Sequence, residues 1–369
     1  MSPGASTAEK TRQPTIRRRA VLAVLGGGVL ASSGVLASRS FGAPRFAAEP
    51  GLPTPICTVA DQVPAPIVIN PRRAIKFAWS GTGVCTSSVP VALHRGYFDK
   101  HGLDVEIVNF SGAQDQILES IATGKTDAGV SFALQWLKPL EQGLQVNFTT
   151  GVHGGCIHLL APTKSGITRL DQLRGKTIGV TTMVSASKNF YSIQLAKLGI
   201  DPNTDVQWRA FPGDLLGAAA LKGDVDVIAD ADPNVNLLEK RSNGALVTIS
   251  TNLEGPYRDL SCCVLGIRNS LIRDEKPVAA ALTQAILEAA EHVANDPDDA
   301  GSVFAKYSPV PGPELAGMLR LHTHHHHPSS PQLVKELAVY IADMKTIGVL
   351  KPSTDPDKFA TRIYANVFA

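Results

Sequence analysis

Ile75-Lys76-Phe77-Ala78-Trp79, Leu103 to Val108 and Asp127 to Val130 are three short apolar runs, separated by the helix-like stretches Pro90 to His101 and Ala113 to Thr123. Short apolar runs alternating with helical stretches predict buried strands of a mainly parallel sheet, with helices covering its faces. The alternation begins again downstream. Ile178-Gly179-Val180, Val206-Gln207-Trp208 and Val225 to Ala229 are strand-like, with helical stretches at Ser185 to Leu198 and Asp214 to Leu221 between them. Gly124-Lys125-Thr126-Asp127 has a counterpart in Gly223-Asp224-Val225-Asp226, and each glycine suits the left-handed end of a helix just before a strand. The pattern predicts two similar α/β lobes.

Two apolar extended segments, Cys156 to Leu160 and Ser261 to Ile267, stand between the halves and are expected to cross from one lobe to the other. Lobe I then comprises residues 73–157 plus 264–369, and lobe II residues 158–263. The C-terminal part is helical: Val278 to Ala294 places Leu282, Ile286, Ala289 and Val293 on one stripe, and Leu333 to Ile347 does the same with Leu337, Ile341 and Met344. Residues 49–72, punctuated by Pro50, Pro53, Pro55, Pro64, Pro66 and Pro71, are expected to be an extended linker.

Residues 1–48 are expected to be an export signal of the twin-arginine type. Arg18-Arg19-Ala20-Val21-Leu22 precedes a weakly hydrophobic uncharged run to Ser38. Val35-Leu36-Ala37 and Phe46-Ala47-Ala48 both offer cleavage sites, and an uncleaved anchor is the alternative. Beyond this segment no run reaches the roughly 18 apolar residues that span a bilayer. The 369 residues are 44% hydrophobic and 18% charged, which excludes a disordered chain, and a formal charge of +2 is too small to argue for nucleic acid. A periplasmic location and a monomer are expected.

Ala92-x-x-Arg95-Gly96-Tyr97-Phe98-x-x-x-Gly102-Leu103-x-Val105 resembles the first helix–strand unit of the nitrate, sulfonate and taurine substrate-binding proteins. Leu170-x-x-Leu173-Arg174-Gly175-Lys176-x-Ile178-Gly179-Val180 resembles the start of their second lobe. With the paired Gly-x-x-Asp turns, the likeness runs in order over about residues 74 to 350. It implies a type II periplasmic binding protein: two α/β lobes joined by two hinge strands, holding a small oxyanion between them for an ABC permease and ATPase. Enzymes of thiamine pyrimidine synthesis share this fold and supply an enzymatic alternative. The chain lacks a Gly-x-Ser-x-Gly elbow, a Walker loop, Gly-x-Gly-x-x-Gly after a strand, and His-Glu-x-x-His, so no catalytic residue and no cofactor is assigned.

In open α/β sheets ligands lie beyond the carboxyl ends of the strands, where helix N-termini favour anions. The loops there supply Ser80, Gly81, Thr82, Cys85, Ser111, Gly112, Gln114, Ser131, Phe132, Thr181, Thr182, Ser185, Asp230, Asp232 and Asn234 as candidate ligand-binding residues. Serine and threonine also serve as simple helix caps. Asp230 and Asp232 are the wrong sign for an anion: they favour a cationic or metal-containing ligand, or one of them caps the helix near Pro233.

His153 and Cys156 on the first crossing face the same choice. Near Cys262 and Cys263 of the second crossing they allow a disulfide, inert buried thiols, or a thiolate–imidazole metal site. Cys57 and Cys85 complete the five cysteines. His322, His324, His325, His326 and His327 are expected on a solvated loop outside the pocket, binding metal incidentally.

Overall fold

A computed structural model describes residues 65–111 and 114–369. The export segment, most of the proline-rich stretch, Cys57 and Gly112 therefore lie outside the described residues. The first run of elements is β1 (Arg73–Trp79), α1 (Ser88–His94), α2 (Tyr97–Lys100), β2 (Leu103–Asn109), α3 (Gln114–Ala122), β3 (Ala128–Phe132), α4 (Ala133–Glu141) and β4 (Val146–His153). The second is β5 (Ile157–Pro162), β6 (Thr177–Val180), α5 (Ala186–Lys197), β7 (Gln207–Ala210), α6 (Leu216–Lys222), β8 (Val227–Ala231), α7 (Asn234–Arg241) and β9 (Leu246–Thr251). The chain then returns through β10 (Cys263–Arg268) to α8 (Asn269–Asp274), α9 (Lys276–Asn295), α10 (Pro297–Phe304), α11 (Gly312–Leu319), α12 (Pro331–Thr346) and α13 (Pro356–Ile363).

Two five-stranded sheets result, in the orders β2-β1-β3-β10-β4 and β7-β6-β8-β5-β9. In each, three parallel strands are followed by two antiparallel neighbours. The last two strands of each sheet are what joins the sheets. β4 leads into β5 through residues 154–156, β9 leads into β10 through residues 252–262, and β4 pairs antiparallel with β10 while β5 pairs antiparallel with β9. The two crossings therefore run side by side.

The single helix expected over Pro90 to His101 is split by Gly96, which takes a left-handed φ of 74° and turns the chain between α1 and α2. Several later helices start where a capping side chain precedes proline: Asp296 before Pro297, Ser330 before Pro331, and Asp355 before Pro356. The side chain satisfies a free amide of the first turn, and proline gives up nothing by lacking one there. Under the first sheet, Trp79 is fully buried, packs edge-on against Phe304 and Tyr307, and donates from Nε1 to Thr86 Oγ1 at 2.7 Å. α12 packs against both α4 and α5, so it touches the flanks of both sheets.

The histidine-rich segment is not a solvated loop. His322 and His324 are buried, His326 and His327 are half-buried, and only His325 is exposed. The segment runs back along β4 and the first crossing, where Gly151 N donates to Pro328 O at 2.9 Å and Gly154 N to Thr323 O at 3.1 Å. This close approach depends on missing side chains. A Cβ on Gly154 would lie 1.7 Å from Thr323 Oγ1 and 2.8 Å from the Arg258 carbonyl oxygen, and one on Gly155 would lie 2.6 to 2.8 Å from Asn252 atoms.

Gly154→Ala is accordingly expected to destabilise the protein by about 1–3 kcal/mol, as overpacking does. Gly317→Ala, where a Cβ meets nothing within 4 Å inside α11, should be neutral or slightly stabilising. Urea unfolding of the two variants checks this; equal midpoints would contradict the packing account.

Candidate functional site

The crossings converge on a buried group of titratable side chains. Cys262 N donates to His153 O at 2.9 Å, Asp232 N to Cys156 O at 3.0 Å, and Ile157 and Asn252 exchange hydrogen bonds, including Ile157 N to Asn252 Oδ1 at 2.7 Å. These main-chain ties hold His153, Cys156, Asp232, Cys262 and Cys263 in one place. Cys85 joins them from the short turn Val84–Thr86 after β1.

Asp232 lies just past the end of β8 and is 1% exposed. One carboxylate oxygen, Oδ2, pairs with His322 Nε2 at 2.8 Å and His158 Nε2 at 3.2 Å, while Oδ1 has no hydrogen-bond partner among the described residues. Burial alone would raise this carboxyl, but the hydrogen bonds and charges of His158 and His322 outweigh it and hold the group at about 2. Asp230 behaves oppositely: burial pushes it up to about 6, although Asn234 Nδ2 donates to it at 2.7 Å. Neither aspartate caps α7, which has no side-chain cap.

Three imidazoles meet beside Asp232. The ring centroids of His153 lie 6.0 Å from His322 and 5.3 Å from His324, and those of His322 and His324 lie 5.5 Å apart. Both ring nitrogens of His153 and of His324 are buried without a hydrogen-bond partner among the described residues, as is Nδ1 of His322. Burial drives His324 well below the usual histidine range, reinforced by His153.

The four described cysteines are buried free thiols. Cys156 Sγ and Cys262 Sγ are 3.9 Å apart, and Asn252 Nδ2 approaches Cys262 Sγ at 3.7 Å. Cys156 and Cys263 pull Cys85 and Cys262 well below the ordinary thiol value, whereas burial pushes Cys156 and Cys263 up. One sulfur each of Cys85 and Cys263 and one nitrogen of His153 lie within 4.8 Å of one another. Soft donors at this spacing, with an imidazole and further sulfur beside them, can hold a thiophilic metal ion.

Residues 87–300, more than half of the chain, match the family described as NMT1/THI5 like. The chain belongs to that family. A protein of similar sequence is a Haemophilus influenzae protein named as a putative thiamine biosynthesis protein, 24% identical over 234 residues that make up 60% of this chain and 69% of that one. The fold is similar to that of the alkanesulfonate-binding protein SsuA from Xanthomonas axonopodis pv. citri bound to MOPS, at TM-score 0.66 and 19% identity over 78% of this chain and 97% of that one. It is also similar to the ligand-binding component of an ABC-type import system from Staphylococcus aureus with zinc bound, at TM-score 0.63 and 15% identity over 79% of this chain and 99% of that one. The two-lobe α/β fold expected from the sequence is therefore the fold of the NMT1/THI5-like chain. Among its described residues no helix is long and apolar enough to cross a membrane.

The strand-end residues named from this chain's sequence divide into two groups. Ser131 and Phe132, at the end of β3, are buried, and the Ser131 hydroxyl has no partner among the described residues. Ser80 is buried and bonded to Thr82 Oγ1 at 2.9 Å, and Gly81 N donates to Asn109 Oδ1 at 3.1 Å. Thr82, Ser111 and Thr182 are exposed and Thr181 is half-buried. Ser185 is the N-cap of α5, accepting from Lys188 N at 3.2 Å. Gln114 begins α3. His158, His322 and His324 were not among the pocket candidates. A histidine within an apolar strand carries no local signal, and the other two lie more than 150 residues from His153.

The two aspartates carry opposite pH signatures. Asp232, held below its unfolded value of about 3.9, stabilises the fold above that value by about 2 kcal/mol and loses this as pH falls toward 2. Asp230, held above its unfolded value, opposes folding increasingly as pH rises from about 4 to about 6, and by a constant amount above that. Asp230→Asn should therefore raise the melting temperature at pH 7.5 but not at pH 4. Asp232→Asn should lower it at pH 6, by a margin that shrinks toward pH 2. Thermal unfolding across this range checks both signs.

Proposed function

We propose that the chain is the periplasmic solute-binding component of an ABC importer, delivering to a permease and ATPase a ligand held at the seam between the lobes. Family membership and the likeness in fold to the sulfonate-binding and import components support this, as does a pair of side-by-side crossings suited to hinge motion. Export by the twin-arginine route belongs to the same reading: it carries chains already folded and so permits loading before export.

The seam's chemistry favours a cationic or metal-containing ligand over a bare sulfonate, taurine or nitrate. The observation that carries this is Asp232: a carboxylate 1% exposed, ionised, with one oxygen that has no hydrogen-bond partner among the described residues. A buried anion beside a bound anion would repel it in a region of low dielectric. The oxyanion reading retains one specific support, the buried hydroxyls of Ser88 in α1 and Ser131 just before α4, which have no hydrogen-bond partner among the described residues. The pyrimidine-synthesis reading rests on the name of the Haemophilus relative; the cysteines here come from separate elements rather than one compact motif.

The charge of the ligand separates the first two readings. Asp232→Asn should weaken binding of a cationic or metal ligand at least tenfold, about 1.4 kcal/mol, whereas it would leave unchanged or improve the binding of methanesulfonate, taurine or nitrate. Calorimetric titration of the full chain with each solute, and with Zn²⁺, decides between them. Asp357→Asn, exposed in the first turn of α13 and away from the seam, serves as the charge-matched control.

A further inference from the structure

We propose that Cys85, His153 and Cys263 bind one thiophilic d¹⁰ cation, zinc(II) or copper(I), where the floor of the first sheet meets the two crossings. This deepens the reading of the seam as a site for a cationic or metal-containing ligand and rests on it.

Three elements far apart in sequence deliver the donors: the turn after β1, the end of β4 and the start of β10. All three side chains are at most 1% exposed, and their donor atoms lie within 4.8 Å of one another. Zinc at about 2.3 Å from sulfur and about 2.0 Å from nitrogen places tetrahedral donors roughly 3.5–3.8 Å apart, so a modest contraction closes the set. The Cys156–Cys262 separation of 3.9 Å is close to such a sulfur–sulfur edge and well beyond a disulfide bond of about 2.05 Å. These two thiols stand next to the three donors and offer a fourth ligand.

Packing alone does not account for the arrangement. A lone buried cysteine behaves as a small hydrophobe, but here four sulfurs adjoin an imidazole that is fully buried and has neither nitrogen satisfied among the described residues. Leaving such groups unpaired is unfavourable, and a metal bond to His153 and thiolates relieves it. On binding, each sulfur forms a metal–sulfur bond as a thiolate: the Cys263 S–H bond breaks and its proton leaves to solvent, and Cys85, already drawn well below the ordinary thiol value, gives up whatever proton it still holds. No electrons move. Two thiolates balance the charge of Zn²⁺, and the d¹⁰ configuration imposes no geometry of its own.

The test uses the full chain with its thiols reduced, titrated with Zn²⁺ and, separately, with Cu⁺ against a competing chelator. The expected result is one tight site for at least one of the ions, release of about one to two protons per zinc, and sulfur-to-metal charge-transfer bands when Co²⁺ replaces zinc. Cys85→Ser and Cys263→Ser should each weaken binding by more than the roughly 10–100-fold typical of outer-shell changes. His325→Ala, on the exposed part of the histidine segment, should leave that site unchanged. Circular dichroism of the variants excludes unfolding as the cause, and Co²⁺ bands in a single variant report sulfur count directly.

Absence of a tight site for both ions would overturn the proposal, as would retention of the site in both cysteine variants. Small-angle scattering on the same samples separates this from the seam reading. Metal bound without a change in interlobe shape sinks the solute reading and leaves the metal site standing. Compaction by another solute in a chain that binds neither ion does the reverse.

Discussion

The architecture depends on one constraint, that the chain passes twice between its two sheets and makes both passages side by side. β4 continuing into β5 and β9 continuing into β10 are antiparallel partners on either side of the gap, and Cys262 N to His153 O and Asn252 N to Ile157 O hold the strands together on either side of it. A paired crossing of this kind resists shear along its length while leaving a few residues free to bend. It also brings two stretches about 100 residues apart in sequence into contact, which is how His153, Cys156, Cys262 and Cys263 become neighbours.

The C-terminal segment then closes over this junction. His322 pairs with Asp232, His326 Nε2 with Glu336 at 2.9 Å, and His327 with Glu291 at 3.1 Å, while Glu336, 1% exposed, also accepts from the backbone and hydroxyl of Ser261 on the second crossing. Buried carboxylates are tolerated only where donors meet them, so Asp232 and Glu336 act as fixed points to which the histidine segment is fastened. The polar residues of the seam thus serve the fold and the site together: the same imidazole that satisfies Asp232 stands against the rings of His153 and His324.

The strands β1, β2, β3, β6 and β8 were legible because each is a short apolar run between helical patterns, and the crossings because each is extended and apolar between the halves. β9 and the first part of β4 were not foreseen: β4 contains Asn147, Thr149 and Thr150, and β9 contains Thr248, Ser250 and Thr251, which dilute the apolar signal. The proximity of Cys156 to the Cys262–Cys263 pair followed from placing two hinge strands together. The burial of His322 and His324 did not, because it is set by glycines at 151, 154 and 155 that only matter once the segment lies against them. A run of histidines looks like a solvated tract until the carboxylates that receive it are known, and Asp232 lies 90 residues away. Cys85 was legible as a strand-end residue, yet its role as a donor depends on three-dimensional convergence alone.

Whether a metal ion sits at the junction of the crossings is the central question for this molecule. A crystal of the full chain grown with Zn²⁺, measured on both sides of the zinc absorption edge, addresses this in one experiment. The account predicts an anomalous peak enclosed by Cys85, His153 and Cys263. A peak confined to His325, His327 and Glu291 at the surface, or electron density joining Cys156 to Cys262 as a disulfide with no peak beside it, would contradict it.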